Sequence, residues 1–122
     1  MEILMVGSEC TPFIKTGGLA DVLGSLPQAL KEQGDDVRIV LPKYQEISEE
    51  WKAQMKPLLE LNVTLGWRNQ YAGVEYIEQN GVTVYFIDNE YYFKRSNLYG
   101  YGDEAERFVF FNRAVMEMIK AL

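Results

Sequence analysis

The stretch from Gly7 to Ala29 most constrains the fold, because it joins a strand to a long helix through a glycine-containing loop. Residues 3–6 are all apolar and are followed by Gly7 and Ser8, a pattern that predicts a strand buried on both faces. After the loop, apolar residues recur at three- and four-residue steps, which predicts a helix that packs one stripe on that strand. The members of the stripe are Leu19, Val22, Leu23, Leu26 and Leu30.

A glycine pair, Gly17 and Gly18, stands at the entrance of this helix, and Lys15 precedes it. Glycines let a backbone approach a ligand closely, and the free N–H groups of a helix N-terminus favour an anion. Lys15 adds a positive charge at the same place, so the combination suits a phosphate or diphosphate. A simple turn with a solvated lysine explains the pattern as well, since the loop is neither G-x-x-x-x-G-K-[ST] nor G-x-G-x-x-G.

The rest of the chain predicts a mixed α/β fold. Residues 37–41 form a second apolar run that Pro42 ends, so strand, helix and strand make a parallel, right-handed βαβ unit. After a short helix capped by Ser48, polar and apolar residues alternate over residues 59–65 and 71–78, and residues 82–87 form one more strand. Asn80-Gly81 is typical of a two-residue hairpin turn. An antiparallel meander is therefore expected beside the parallel sheet.

The last part of the chain predicts a helix after an aromatic-rich segment at residues 88–102. Asp103 and Glu106 have the spacing of a capping box, which places the helix start at Asp103. Its expected apolar face comprises Phe108, Phe111, Ala114, Val115, Met118 and Leu122. The segment 91–93 offers aromatic faces for a sugar ring, as do Tyr99 and Tyr101, but for 91–93 covering one end of the core is the favoured interpretation.

Composition bounds the class of protein. The 122 residues suffice for one domain, and a net charge of −6 argues against non-specific nucleic-acid binding. Cys10 is the single cysteine and the chain has no histidine, so we expect a small buried thiol rather than an activated nucleophile. No apolar run reaches membrane-spanning length and Met1 leads directly into a strand, which favours a cytoplasmic protein without a membrane partner.

Residues 15–22, Lys-Thr-Gly-Gly-Leu-Ala-Asp-Val, match the signature K-[ST]-G-G-L-A-D-V in full, and residues 8–13 fit the segment before it. The sequence thereby resembles the amino terminus of bacterial glycogen synthases and plant starch synthases. The resemblance implies a Rossmann-like, three-layer half-domain of a GT-B glycosyltransferase, with the antiparallel hairpin as an insertion in a parallel sheet. Residues 1–122 would be the N-terminal part of the catalytic domain, without the C-terminal nucleotide-binding domain.

The resemblance also implies a reaction. Such enzymes transfer glucose from ADP-glucose, in some cases UDP-glucose, to the non-reducing end of an α-1,4-glucan with retention, and they use no cofactor or metal for catalysis. Lys15 would bind the nucleotide sugar, and the backbone at Gly17 and Gly18 would lie against its phosphates or glucose. A catalytic histidine is expected beyond Leu122, so no catalytic residue is assigned here, and this fragment alone should be inactive without the C-terminal domain.

Two carboxylates near the signature, Asp21 and Glu9, each have two possible roles. Asp21 suits the positive end of the helix dipole, or a contact with substrate or the partner domain. Glu9 is expected either to touch the acceptor glucan or to be a solvated loop residue. Acidic residues at 88, 90, 103, 104 and 106 could form acid/base or metal pairs, but a surface location is favoured. The alternatives for the whole chain are a non-catalytic flavodoxin-like phosphate-binding or signalling domain, and a sucrose-type GT-B transferase.

Overall fold

A computed structural model describes residues 1–95 and 98–122. Strands and helices alternate in the first part and strands follow one another in the middle, as the periodicity predicts. The elements are β1 Glu2–Val6, α1 Gly18–Glu32, β2 Asp36–Pro42, α2 Glu49–Lys52, β3 Lys56–Leu65, β4 Arg68–Gln79, β5 Val82–Asp88, α3 Glu90–Phe93 and α4 Glu104–Ala121.

The strands form one five-stranded sheet in the order β1-β2-β5-β4-β3. β1 pairs with β2 and β2 with β5 in parallel, whereas β4 is antiparallel to both β3 and β5. The expected α/β fold with an antiparallel meander beside a parallel sheet is confirmed. The carboxyl ends of β1, β2 and β5 share one edge of the sheet, so the chain segments that leave these strands start side by side.

The two hairpin turns of the meander are tight. Gln79 pairs with Val82, so Asn80 and Gly81 alone make the turn, with φ values of 52° and 77°. Both central residues have positive φ, which is the geometry of a type I′ turn and explains the Asn-Gly pair. The β3–β4 turn is equally short: Leu65 pairs with Arg68, so only Gly66 and Trp67 lie between the strands.

The buried face of α1 differs from the predicted stripe. Ala20, Leu23 and Pro27 are buried, whereas the expected core residues Leu19, Val22 and Leu26 are exposed. The helix is rotated because the preceding loop lies against it: a Cβ on Gly24 would be 2.9 Å from the carbonyl oxygen of Thr11. β1 is only partly buried, contrary to the prediction for residues 3–6, because it lies at the edge of the described sheet.

α4 keeps its predicted apolar face but not its capping box. Phe111, Ala114, Val115 and Met118 are buried as expected, although Leu122 is exposed. The Asp103 carboxylate makes no cap bond and instead accepts from Arg95, with Nη2 to Oδ2 at 2.7 Å. Glu106 pairs with Arg68 at 3.0 Å. Ion pairs with Arg95 and Arg68, which lie outside α4, therefore satisfy the two carboxylates that the local pattern assigned to the helix start.

The aromatic segment before α4 mainly fills the core. Tyr92 and Phe93 are buried, and their rings lie 4.8 and 6.0 Å from that of Phe110 in α4. Tyr91 is exposed. The core interpretation thus holds for two of the three residues. Across the chain segments that the structure covers, no helix is both long and apolar enough to span a bilayer.

The end of α1 gives a test of the fold. The N–H of Gly34 donates to the carbonyl of Lys31, and that of Asp35 donates to Leu30, which together form a Schellman motif with Gly34 at φ 98°. Gly34→Ala should lower the free energy of unfolding by about 1 kcal/mol, because an alanine in this region of φ is strained. Urea unfolding measures the change.

Gly18→Ala is the matched control for this substitution. Gly18 is the first residue of the same helix, lies outside the left-handed region of φ, and a Cβ there meets no described atom within 4 Å. Its stability should be unchanged or slightly raised. Equal urea midpoints for Gly34→Ala and the wild-type chain would contradict the assigned helix end.

Candidate functional site

The loop between β1 and α1 is a compact, packed structure. Cys10 and Ile14 exchange two backbone hydrogen bonds of 3.0 Å, and the N–H of Thr11 donates to the carbonyl of Ala20 in α1. Phe13 is buried, with its ring edge-on to Trp51 and Phe86 at 4.9 and 5.3 Å. The loop leaves β1 at the carboxyl edge of the sheet and is tied to both the sheet and the helix.

Cys10 is buried within this loop, as predicted. Its thiol lies 3.3 Å from the carbonyl oxygen of Thr11, and burial raises its pKa to about 11. A thiol with so high a pKa stays protonated near neutral pH, and the thiolate is the nucleophilic form. Cys10 is therefore a packing residue.

Glu9 is the polar centre of the loop, and its side chain is only 3% exposed. Oε1 accepts from the N–H groups of Gly17 at 2.9 Å and Thr16 at 3.3 Å. Oε2 accepts from the hydroxyl of Thr16 and from that of Tyr99 at 2.8 Å. The carboxylate thus fixes the two residues that follow Lys15.

This geometry corrects the expectation of a solvated loop carboxylate at Glu9. Burial alone raises the pKa of Glu9, but the hydrogen bonds from Thr16, Tyr99 and Gly17 outweigh burial and lower the pKa to about 2. The side chain is therefore ionised at all ordinary pH values. It is suited to holding the loop, whereas a general acid needs a proton to give.

Lys15 and Asp21 form an ion pair at the surface. The Lys15 ammonium donates to both carboxylate oxygens of Asp21, at 2.9 and 2.8 Å, and the two side chains are 54% and 56% exposed. The hydrogen bond from Lys15 lowers the pKa of Asp21. Asp21 lies in the first turn of α1, as expected for a carboxylate at the positive end of a helix dipole, and it is also the partner of the lysine.

The glycine pair at the helix entrance is not required by the fold. Gly17 is the N-cap residue with an extended backbone, φ −162°, and Gly18 begins the helix. A Cβ on Gly17 would approach only Oε1 of Glu9, at 4.0 Å, and one on Gly18 would meet no described atom within 4 Å. Bare backbone is thus presented to the outside at these positions, next to Lys15.

Tyr99 and Ser8 complete the site, and sequence reasoning missed their role. The Tyr99 hydroxyl lies 2.8 Å from Ser8 Oγ as well as from Glu9. Ninety residues separate Tyr99 from Glu9, so no local spacing connects them. The only sequence signal was that Tyr99 falls in the aromatic segment for which sugar stacking was considered.

A cavity of about 380 Å³ lies beside the same loop, between α1 and the β4–β5 turn. Its lining includes Phe13, Leu23, Pro27 and Asn80, whereas Lys15, Gly17 and Gly18 are not part of it. The candidate site is therefore an open surface at the helix entrance.

Three of the five acidic residues considered as acid/base or metal pairs have structural partners. Asp103 binds Arg95, and Glu106 binds Arg68. Glu104 accepts from the backbone N–H of Gly100 at 2.9 Å. Within residues 1–95 and 98–122, no three acidic, cysteine or histidine side chains are grouped so that they could hold a metal ion.

The chain matches one protein family over almost its whole length. Residues 2–122 match the sequence model of the family described as "Starch synthase catalytic domain". The chain belongs to this family. The family covers the whole strand–loop–helix unit with the signature at residues 15–22, so the resemblance noted from the signature is confirmed, and the flavodoxin-like alternative is set aside.

Curated relatives of this starch synthase domain are named glycogen synthase. That of Bacillus subtilis (strain 168) is 56% identical over 122 residues, which are all of this chain and 25% of the relative. That of Halalkalibacterium halodurans is 59% identical over 122 residues, with 26% of the relative covered. This chain thus spans about a quarter of the length of the curated relatives it matches.

The fold is also similar to a solved structure, the "Catalytic domain of Starch Synthase IV from Arabidopsis thaliana bound to ADP and acarbose". The TM-score is 0.86 at 27% sequence identity, and the match covers 98% of this chain and 25% of the plant chain. The mixed sheet and its helices therefore follow the GT-B starch synthase arrangement, as predicted.

The low pKa of Glu9 gives a prediction for stability. Its folded-state pKa of about 2 lies below the ordinary value of 4.5, so the ionised carboxylate stabilises the native state. This stabilisation is complete above about pH 4.5 and is lost as the pH falls toward 2. Glu9→Gln should therefore cost about 1.5–3 kcal/mol near pH 7, the range for hydrogen bonds to a charged group.

Urea unfolding of both chains at several pH values measures this difference. The free-energy gap between the wild-type chain and Glu9→Gln should shrink as the pH drops below about 4.5. A gap that stays constant down to pH 2.5 would show that the carboxylate charge does not hold the loop. Glu117→Gln, which loses an exposed ion pair to Lys120, is the control with little expected effect.

Proposed function

We propose that the protein of which this chain forms about a quarter is a glycogen (starch) synthase, a retaining hexosyltransferase. It transfers glucose from ADP-glucose to the non-reducing end of an α-1,4-glucan such as glycogen. The identity of 55–59% to proteins named glycogen synthase, over the full chain, supports this activity. The plant neighbour bound to ADP and acarbose supports an ADP-sugar donor and a glucan-like acceptor.

The observation that carries the proposal is the helix entrance at the carboxyl edge of the sheet. Lys15 supplies an exposed positive charge, and Gly17 and Gly18 leave the adjacent backbone uncovered. The first N–H groups of any α-helix have no partner inside the helix, and those of α1 begin at Gly18. A cation beside free N–H groups is the chemistry that binds a diphosphate.

These groups act on the charge that develops during glucosyl transfer. When the bond between glucose and the diphosphate breaks, negative charge grows on the departing diphosphate. Lys15 and the entrance N–H groups lie where this charge grows, so they bind the diphosphate of the donor and continue to stabilise it as it leaves. We assign them to donor binding and to leaving-group stabilisation.

The pairing of Lys15 with Asp21 is compatible with this role. An ion pair between exposed side chains contributes only about 0–1 kcal/mol, so exchanging the carboxylate for a diphosphate costs little. Asp21 then lies close to the bound donor, which gives it a secondary position in the site. Glu9 is assigned to the same site as the residue that orders Thr16 and Gly17.

Glucosyl transfer also needs groups that this chain does not contain. The chain has no histidine, and Glu9 and Cys10 are held in ionisation states that do not suit acid/base or nucleophilic catalysis. We therefore propose that a C-terminal domain of the same protein supplies the remaining catalytic and nucleotide contacts. The 122-residue chain alone should not transfer glucose.

Lys15→Ala in the complete enzyme tests the donor site. The kcat/KM for ADP-glucose should fall by roughly 100-fold, since a charge that stabilises the leaving diphosphate is removed. Coupled measurement of ADP release with glycogen gives the rates. Lys120→Ala, at the far end of α4, is the control and should change kcat/KM less than twofold. Unchanged kinetics in Lys15→Ala would remove Lys15 from the site.

Gly18→Ala separates function from folding. The substitution leaves stability unchanged, for the reason given for the fold, but it puts a methyl group where the diphosphate or glucose approaches the backbone. The complete enzyme should lose about tenfold or more in kcat/KM for ADP-glucose at an unaltered melting temperature. Full activity in this variant would place the donor away from the helix entrance.

A further inference from the structure

One hydroxyl group joins two distant parts of the chain at the candidate site. The Tyr99 hydroxyl donates to Oε2 of Glu9 at 2.8 Å and lies 2.8 Å from Ser8 Oγ. Glu9 and Ser8 belong to the loop after β1, whereas Tyr99 precedes α4. Burial, together with the bond to the Glu9 carboxylate, raises the pKa of Tyr99, so the hydroxyl stays protonated and remains a donor.

Tyr99 is itself held from the side of α4. The guanidinium of Arg107 is completely buried and donates to two backbone carbonyls, Leu98 through Nη1 and Tyr92 through Nε, both at 2.7 Å. Leu98 is the residue directly before Tyr99. The Tyr99 ring also packs near Phe108 of α4, with ring centroids 6.1 Å apart. The hydroxyl is therefore presented from a segment anchored to the helix.

Glu9 connects Tyr99 to the helix entrance through its other hydrogen bonds. The same carboxylate that accepts from Tyr99 also accepts from Thr16 and from the N–H of Gly17. These two residues link Lys15 to the first turn of α1. Without the Tyr99 bond, a buried carboxylate loses a donor, and rotation toward other donors would release Thr16 or Gly17.

We propose that Tyr99 is a positioning residue of the donor site, acting through Glu9 to fix the direction of Lys15 and of the entrance N–H groups. The inference rests on the proposed function, because it assigns the consequence of this geometry to binding of an ADP-sugar. Tyr99 has no direct part in the chemistry. Its hydroxyl is occupied by Glu9 and Ser8, which leaves it no free donor for a substrate.

The principal experiment is Tyr99→Phe in the complete enzyme, which removes the hydroxyl and keeps the ring. KM for ADP-glucose should rise roughly five- to tenfold, less than the direct loss of a hydrogen bond to a charged group because Tyr99 acts only through Glu9, while kcat changes less than about threefold. Tyr91→Phe is the matched control, since Tyr91 is exposed and its substitution also removes only a hydroxyl. Its KM should stay within twofold of the wild-type value.

A double-mutant cycle tests whether Tyr99 acts through Glu9. In a Glu9→Gln background, Tyr99→Phe should add less than twofold to KM, because the bond that it breaks is already altered. A full five- to tenfold effect in that background would overturn the inference and would instead indicate a direct contact between Tyr99 and the substrate.

Variants at Thr16 keep the test valid if Tyr99→Phe folds poorly. Thr16→Ser retains the hydroxyl that donates to Glu9 and should keep a wild-type KM, whereas Thr16→Val removes it and should raise KM as Tyr99→Phe does. Equal KM values for the Ser and Val variants would contradict positioning by Glu9.

Calorimetric titration with ADP gives a readout that needs no turnover. Tyr99→Phe should weaken ADP binding by the same five- to tenfold as KM. Equal ADP affinity in Tyr99→Phe and the wild-type enzyme would overturn the positioning role. A wild-type enzyme that binds ADP but transfers no glucose to glycogen would contradict only the proposed function.

Discussion

The structure of the candidate site depends on one buried carboxylate whose hydrogen-bonding capacity is satisfied. A charged group in a low-dielectric environment is costly unless donors surround it, and Glu9 receives donors from the loop that follows it and from Tyr99. Because these donors must be in place together, the carboxylate specifies a single arrangement of the loop. The position of Lys15 and the start of α1 follow from that arrangement.

Local patterns in the sequence predicted the elements and most of the topology. The Asn80-Gly81 pair predicted a hairpin because a type I′ turn uses both central residues at positive φ. The parallel pairing of β1 with β2 followed from the βαβ rule, and the antiparallel pairing within β3, β4 and β5 followed from the alternation in the meander. Family resemblance, carried by residues 15–22, supplied the proposed site residues that composition alone left ambiguous.

The errors lie where contacts between distant residues override a local pattern. Leu19, Val22 and Leu26 form a regular helical stripe, yet the loop packed on Gly24 turns a different face of α1 inward. Asp103 and Glu106 have capping-box spacing, but Arg95 and Arg68 supply stronger, charged partners. Of the two alternatives for Glu9, the solvated one is wrong: the donor Tyr99 is 90 positions away, and no periodicity reports such a contact.

The Lys15–Asp21 pair influences which anions bind at the helix entrance. In the structure the charges of the Lys15 ammonium and the Asp21 carboxylate cancel, so an approaching anion meets a nearly neutral surface. A singly charged ion offers the ammonium no more than the carboxylate already provides, whereas a group carrying two or more charges offers a net gain. An internal competitor of this kind favours a ligand that carries more than one negative charge.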